Sequence, residues 1–281
     1  MVFKKIRSYG KINLALNITG KENYLHKIES LVAFTALHDE IFIKRIKSNR
    51  HKILFFGKFS NKIGNNNTVS HLLRILERKK LIMNKKFFIK INKKIPSKSG
   101  LGGGSMNAAT ILNYFIKNKT ININKKEMME ISKLIGSDVI LGFNSTNLIL
   151  TSKNEVKYFK NVKKFYILIV KPNFGCSSKE IYSRVKKFHK AKFIKPVQSM
   201  FKVNFLKKTE NQLEAIAFSK YPKLKSLKSK MENINNPIFV RMTGSGSAMI
   251  AYYKSKEKCE KAKKKFNSKH KNYWCISSKT I

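Results

Sequence analysis

A glycine-rich segment is the part of the sequence best suited to chemistry. Four of its residues are glycines within five positions, namely Gly100, Gly102, Gly103 and Gly104. Glycine lets the backbone approach an anion closely, and a helix that begins behind such a turn directs free N–H groups at the anion. The spacing therefore predicts a phosphate-binding loop, although a glycine turn that serves packing alone is an open alternative. The predicted loop consists of Pro96, Ser97, Lys98, Ser99, Gly100, Leu101, Gly102, Gly103, Gly104, Ser105, Met106 and Asn107.

The end of this loop distinguishes it from two widespread phosphate sites. No Lys-Ser or Lys-Thr pair follows Gly104, so the segment is not a Walker loop. Ser105 stands where the dinucleotide-binding fingerprint needs glycine or alanine, so the segment is not that fingerprint either. We instead expect the hydroxyl group of Ser105 to meet a phosphate group or a Mg²⁺ ion.

Hydrophobic periodicity places the glycine loop between a strand and a helix. Residues 87–95 alternate as a strand does, and apolar residues recur at helical spacing over residues 108–116. Asn67 or Thr68 is expected to cap a further helix. The pattern also predicts strands within residues 3–18, 30–35, 40–46, 162–170, 238–242, 248–253 and 273–277, and helices within residues 125–134 and 257–266. This mixture favours an α+β fold.

The length of the chain suits two domains. The sequence has 281 residues, of which 42% are hydrophobic, so it can bury a substantial core. A strongly β-prone run begins at Val162 and a turn follows it at Pro172, which predicts a domain boundary near residue 160. The expected division is an N-terminal domain over residues 1–160, with the glycine loop, and a C-terminal domain over residues 161–281.

The formal net charge of +45 is the most unusual property of the composition. Such a charge is typical of proteins that bind nucleic acids or anionic surfaces. The lysines are nevertheless spread from end to end, without a long basic tail or a basic stripe interleaved with aromatic residues. We therefore favour a general bias towards lysine over a nucleic-acid partner. A basic surface would still attract phosphorylated small molecules.

The sequence favours a soluble, cytoplasmic protein. It has no run of about 18 uncharged apolar residues that could span a bilayer. Its beginning passes from Phe3 directly to Lys4, without the apolar region of a signal peptide. Cys176, Cys259 and Cys275 are odd in number and lack metal-ligand spacing, so free thiols are favoured over disulfides or a zinc site.

Three motifs, in this order, resemble those of the galactokinase, homoserine kinase, mevalonate kinase and phosphomevalonate kinase superfamily. They are the segments 10–16, 100–109 and 241–248, which read GKINLAL, GLGGGSMNAA and RMTGSGSA. Within the superfamily, the chain is most similar to members that phosphorylate the methylerythritol moiety of a cytidine diphosphate substrate. That closer similarity depends on the segments 17–20, 29–31 and 135–139 and on His26.

The resemblance implies a two-domain kinase that uses ATP with Mg²⁺. Its N-terminal part would resemble the second domain of ribosomal protein S5, and its C-terminal part would be ferredoxin-like. Asp138 lies at the position of the family's catalytic aspartate, and Lys11 at that of its catalytic lysine. A carboxylate accepts the proton of an alcohol nucleophile, and a cation beside it offsets the charge of the transferred phosphoryl group. Asp138 as a turn residue and Lys11 as one lysine among many are the alternatives.

The resemblance also implies binding residues outside the loop. Asn67 would contact the adenine, with Lys93 or Lys94 near the base or the phosphates. Asn13, His26 and Tyr182 would bind the cytidine diphosphate substrate, and Tyr182 would stack on the cytosine. The alternatives are a capping role for Asn67 and structural roles for the histidine and the tyrosine.

The chain departs from the family's pattern in four places. Leu25 stands where a tyrosine is expected to stack on the cytosine, in the local sequence Asn23-Tyr24-Leu25. Tyr9-Gly10 replaces Pro-Ala before Lys11, Met106 replaces a second serine of the phosphate loop, and Ile140 replaces a proline. The change at position 25 affects the substrate more than the phosphoryl transfer. Another kinase of the superfamily, a catalytically inactive member and a basic RNA-binding protein of related fold are the alternatives.

Overall fold

The computed structural model describes residues 2–23, 25–61 and 63–281. Ten strands are described: β1 (Lys4–Glu22), β2 (Leu25–Ile46), β3 (Lys52–Phe56), β4 (Lys86–Asn92), β5 (Leu148–Leu150), β6 (Val156–Tyr158), β7 (Tyr166–Lys171), β8 (Phe239–Met242), β9 (Met249–Tyr253) and β10 (Trp274–Lys279). The α-helices are α1 (Thr68–Arg78), α2 (Gly103–Lys117), α3 (Lys125–Ile135), α4 (Ser178–Ser183), α5 (Val203–Lys207), α6 (Leu213–Lys220), α7 (Pro222–Glu232) and α8 (Lys256–Lys269).

Two compact units are built from discontinuous segments. Unit 1 comprises Met1–Gly10, Leu37–Ser97 and Gly102–Ser145, and unit 2 comprises Lys11–Ala36, Lys98–Leu101 and Thr146–Ile281. The long strands β1 and β2 and the glycine loop therefore contribute residues to both units. The single domain boundary near residue 160 stays a prediction.

Unit 1 combines a sheet with the helices that carry its core. The second half of β2 pairs antiparallel with β4, and β3 pairs parallel with β4. In β4 the side chains alternate, so that Phe87, Ile89 and Ile91 are buried while the residues between them are not. Apolar residues of α1, α2 and α3 complete this core, and Phe115 of α2 lies 4.6 Å from Phe87 between ring centroids. The strand before the glycine loop and the helix after it thus share one core.

Unit 2 has a four-stranded antiparallel sheet in the order β10-β7-β9-β8. Its registers include Ile169 opposite Ile250 and Val240 opposite Ala251. Helix α7 contacts β8 and β9, and α8 contacts β7, β9 and β10. The first half of β2 pairs with β5 in this unit, and β5 pairs with β6. An α+β fold, as expected from the sequence, is confirmed.

The observed elements differ from the predicted ones chiefly in β2. The sequence predicts one strand before residues 36–39 and another after them, whereas β2 continues through these residues. Helices α4 to α7 and the short strands β3, β5 and β6 were not predicted. Among the described residues, no helix has both the length and the apolar character needed to cross a membrane.

Candidate active site

The glycine loop ends on the amino terminus of α2 in unit 1. Gly102 precedes the helix with a φ of 69°, in the left-handed region that favours glycine. No side chain caps this end of α2, and its first turn has no acidic residue. The backbone N–H groups of Gly103, Gly104 and Ser105 therefore begin the helix without a protein carboxylate in the turn. Free amide groups at the positive end of a helix dipole suit an anion such as a phosphate group.

A buried ion pair lies beneath this end of the loop. The ammonium group of Lys93 donates to the carboxylate of Asp39, and their side chains are 4% and 0% exposed. The Asp39 carboxylate also accepts hydrogen bonds from the backbone N–H groups of Lys94 and Ile95, at 2.8 and 2.9 Å. The side-chain amide of Asn107 in α2 donates to it at 3.1 Å. Asp39 therefore joins β2, the segment after β4 and the loop helix.

The two lysines predicted near the nucleotide lie in different places. A Cβ atom at Gly103 would be 3.2 Å from the Lys93 Nζ, so this ammonium group lies directly against the loop. Lys94 instead pairs with Glu40 at 2.9 Å, with its side chain 43% exposed. Of the two, Lys93 has the position from which a cation could act on a bound phosphate group.

Asn67, predicted to contact the adenine, caps α1. Its Oδ1 accepts from the backbone N–H groups of Val69 and Ser70 at 3.0 Å each, and Ser70 completes a capping box. Thr68 connects this cap to the loop, because its hydroxyl group donates to the carbonyl oxygen of Gly104 at 2.8 Å. The capping role of Asn67 is therefore present, and its contact with a nucleotide stays a prediction.

Residues 98–101 of the loop lie in unit 2, where they meet the third motif. The backbone N–H of Ala248 donates to the Ser99 carbonyl oxygen at 3.0 Å, and the Thr243 hydroxyl donates to the Gly100 carbonyl oxygen at 3.2 Å. Gly100 has a φ of +78°, and a Cβ atom there would be 1.9 Å from the carbonyl oxygen of Thr243. Only glycine fits this approach of two backbones.

Lys11 and Asn13 lie together beside these two motifs in unit 2. The Lys11 side chain is buried, and its Nζ donates to the Asn13 Oδ1 at 2.6 Å. Asn13 in turn donates through its Nδ2 to the Ser30 hydroxyl at 2.8 Å. The Lys11 Nζ is also 3.4 Å from the position of a Cβ atom at Gly244. The predicted catalytic cation is therefore held by a predicted substrate residue.

Asp138 is placed in unit 1, after α3 and directly before a single 3-10 turn over Val139–Gly142. Its backbone carbonyl oxygen accepts from the N–H of Leu141 at 3.2 Å, and its side chain does not cap the turn. The residue is half-buried. The carboxylate is therefore not used to cap this turn.

Three aromatic rings lie together at the predicted base site in unit 2, where His26 contacts the other two. His26 and Tyr182 lie 5.3 Å apart between ring centroids, so the structure brings these two predicted residues together. Phe188, which the sequence did not single out, lies 6.3 Å from His26. Burial, with a smaller effect from Lys21, lowers the pKa of His26 below its usual 6.5. The neutral imidazole offers one donor and one acceptor, which suits a nucleobase edge. Tyr24 lies outside the described residues.

A basic cavity of about 660 Å³ lies elsewhere in unit 2. Its lining includes four lysines and a histidine but no acidic side chain. The lining is formed by residues 172–174, by Lys223, Ser226 and Lys230 of α7, and by residues 268–273. None of the predicted catalytic or binding residues lines it, so the cavity reflects the dispersed positive charge rather than the predicted site.

Comparison with known families and structures defines the class of protein. Residues 67–149 match the model of the GHMP kinases N terminal domain, and residues 201–272 match the model of the GHMP kinases C terminal domain. A crystal structure of 4-(cytidine 5'-diphospho)-2C-methyl-D-erythritol kinase superposes on this chain with a TM-score of 0.76. The superposition covers 99% of this chain and 100% of that one, at 19% sequence identity. A homoserine kinase from Cytophaga hutchinsonii superposes over 100% of this chain and 95% of its own with a TM-score of 0.71, at 14% identity. The fold is that of the GHMP kinases.

Similar sequences narrow the class. The 4-diphosphocytidyl-2-C-methyl-D-erythritol kinase of Pelagibacter ubique (strain HTCC1062) is 53% identical over 277 residues, which cover 99% of each chain. The kinase of the same name from Petrotoga mobilis is 31% identical, over 87% of this chain and 96% of its own. The chain therefore belongs to the GHMP kinases, in the family of the 4-diphosphocytidyl-2-C-methyl-D-erythritol kinases.

Proposed function

We propose that this chain transfers the γ-phosphoryl group of ATP to the 2-hydroxyl of 4-diphosphocytidyl-2-C-methyl-D-erythritol, a step of the non-mevalonate route to isoprenoids. The observation that carries the proposal is the 53% identity with the Pelagibacter ubique kinase over 99% of both chains. The glycine loop, the buried Lys11 and the aromatic cluster at His26 would supply a phosphate site, a cation and a base site for this reaction. A cytoplasmic location without a nucleic-acid partner is part of the same proposal.

The loop would hold the triphosphate. The free N–H groups at the start of α2 would bind phosphate oxygens, and the Lys93 ammonium group against Gly103 would add positive charge. Asn67 would contact the adenine from the start of α1. The Ser105 hydroxyl, in the first turn of α2, would hold a Mg²⁺ ion.

The residues present fit Mg²⁺ bound mainly through nucleotide phosphates. The described residues contain no group of three or more His, Cys, Asp or Glu side chains that could cage a metal. Mg²⁺ commonly keeps several water ligands and uses few protein ligands beside substrate phosphates, so a single hydroxyl such as that of Ser105 is a suitable donor. The bound ion would offset negative charge on the β- and γ-phosphate oxygens.

Asp138 would accept the proton of the attacking 2-hydroxyl. The Lys11 ammonium group, oriented by its 2.6 Å hydrogen bond to Asn13, would stabilise negative charge on the transferred phosphoryl group. Because Asn13 holds Lys11 through its Oδ1 and Ser30 through its Nδ2, the amide links the substrate side of the site to the catalytic cation. His26 would hydrogen-bond the cytosine and Tyr182 would stack on it.

The decisive experiment measures ADP release from Mg-ATP with 4-diphosphocytidyl-2-C-methyl-D-erythritol as the acceptor. Asp138→Asn should lower kcat by about 10²- to 10⁴-fold, because the amide cannot take up the proton. Glu130→Gln is the matched control, since Glu130 is an exposed acid on α3 of the same unit, and it should keep wild-type rates.

Other results would separate the alternatives. ATP binding without turnover of this acceptor would contradict the proposed substrate and lead to other alcohols, such as mevalonate or homoserine. Binding of RNA with a steep salt dependence, together with no binding of ATP, would favour the nucleic-acid alternative. An unchanged kcat in Asp138→Asn would contradict the role of Asp138 as the proton acceptor.

A further inference from the structure

The two rings that contact His26 differ in how they are held. Tyr182 lies in α4 and is half-buried, whereas Phe188 follows this helix and has 48% of its surface exposed. The ring planes of Tyr182 and Phe188 are tilted from that of His26 by 40° and 52°, respectively. Both centroid distances to His26, 5.3 and 6.3 Å, fall in the range of aromatic contacts. A base that hydrogen-bonds the imidazole would therefore lie within reach of both rings.

The backbone that follows Phe188 is anchored to β1 and β2. The N–H of the next residue, His189, donates to a carbonyl oxygen of β1 at 2.9 Å. A few residues on, the buried carboxylate of Glu29 accepts from the backbone N–H groups of Lys192 and Phe193 at 2.6 and 3.0 Å. The Phe193 side chain is completely buried. These bonds fasten the segment that directly follows Phe188, whose own ring lies outside the core.

Leu25 leaves the expected base site without the aromatic ring of a tyrosine. Its side chain is 70% exposed, and leucine has no π face on which a base could stack. Tyr182 then provides one aromatic face, and a base held between two faces needs a second. Phe188 is the other aromatic residue in contact with His26 in the described part of the chain. We propose that Phe188 supplies the second aromatic face for the cytosine, in the role that residue 25 does not fill.

The charge around Phe188 fits the rest of such a ligand. Lys186, Lys187 and Lys190 flank it in the chain and are exposed, and no ion pair with an acidic side chain is found for them among the described residues. A diphosphate attached to the stacked nucleoside would find positive charge close to the ring. Stacking tolerates any base, so Phe188 would set affinity while the hydrogen bonds of His26 select the base. This inference rests on the proposed function.

Phe188→Leu tests the role of the ring while keeping an apolar side chain. The KM for 4-diphosphocytidyl-2-C-methyl-D-erythritol and the inhibition constant of cytidine diphosphate should each rise roughly 5- to 150-fold, with the KM for ATP unchanged. Phe188→Tyr keeps a π face and should stay within about twofold of wild type. In Phe188→Leu, a second change, Leu25→Tyr, should restore part of the affinity by returning an aromatic ring to position 25.

Phe56→Leu is the matched control, because Phe56 is a partly exposed phenylalanine of unit 1, 38% exposed and outside the proposed site. It should leave both constants unchanged, and the melting temperatures of the two leucine variants should agree. An active wild type whose KM is unaffected by Phe188→Leu would overturn the inference, as would a rise that appears in Tyr24→Leu instead. A wild type that neither turns over the acceptor nor binds cytidine diphosphate would refute the proposed function itself.

Discussion

The contact between Gly100 and Thr243 predicts a large effect from a single methyl group. In Gly100→Ala the new Cβ would lie 1.9 Å from the Thr243 carbonyl oxygen, 2.9 Å from its carbonyl carbon and 3.3 Å from the backbone nitrogen of Gly246. These atoms belong to the backbone, so no rotation of a side chain can relieve the clash. The substitution must move either the loop or the third motif.

The magnitude has two parts. A non-glycine residue at a φ of +78° costs about 1–2 kcal/mol, and forcing an extra methyl group into a packed site costs a further ~1–3 kcal/mol. The sum is about 2–5 kcal/mol of unfolding free energy, which corresponds to a fall in melting temperature on the order of 3–9 °C for a chain of this size. Because the loop would be displaced, the KM for ATP should rise as well.

Thermal unfolding and ATP kinetics of Gly100→Ala and Gly64→Ala provide the assay. Gly64 is the control, since a Cβ atom there meets nothing within 4 Å and its φ lies outside the strained positive range. Gly64→Ala should match wild type in both measurements. If Gly100→Ala also melted at the wild-type temperature with the wild-type KM for ATP, the close approach of the two motifs would be refuted.

Two further predictions concern the acidic residues of β2. Asp39→Asn should destabilise the protein by about 3–5 kcal/mol in urea unfolding, because it leaves the buried ammonium group of Lys93 without its charge partner, and an unchanged unfolding midpoint would contradict this. Hydrogen-bonded contacts with Lys5 and Lys94 lower the pKa of Glu40 to about 2 from 4.5. The Glu40 carboxylate therefore contributes stability that is fully present above about pH 4.5 and is lost as the pH falls towards 2. Glu40→Gln should remove this part of the acid sensitivity, so superimposable acid-unfolding curves of variant and wild type would contradict the assignment.

The predictable parts of the fold are those with a regular pattern. β4 was predictable because every second residue is apolar, and α2 because small and apolar residues recur at helical spacing after the glycines. In the region of β2 the sequence predicts two strands, interrupted over residues 36–39, where His38 and Asp39 are polar. In the structure, the ammonium group of Lys93, 54 positions away in the sequence, pairs with the carboxylate of Asp39. This pairing allows a charged residue to be buried within a continuous strand. A local pattern does not contain that partner.

The residues of the candidate site likewise divide into those that a local motif predicts and those that only the tertiary fold brings together. The glycine loop, Lys11 and His26 lie in continuous motifs, and a motif can be read from neighbouring residues. Glu29 was part of a matching segment, yet its use as an anchor for the backbone at Phe193, 164 positions away, depends on the tertiary fold. Asp39 was not singled out as a site residue because the ion pair that places it beneath the loop is equally non-local.

Leu25 departs from the motif's tyrosine, but this departure alone is weak evidence against the binding of a base. Stacking on a base requires a π face at a point in space, and the fold can bring that face from any part of the chain. Leu25 leaves the start of β2 without a ring, whereas the segment after α4, anchored at His189 and by Glu29, places the ring of Phe188 6.3 Å from that of His26. A missing motif residue therefore counts against a function only after the neighbours of the remaining residues are known. Here those neighbours include the exposed ring of Phe188, on which the proposal of a retained base site depends.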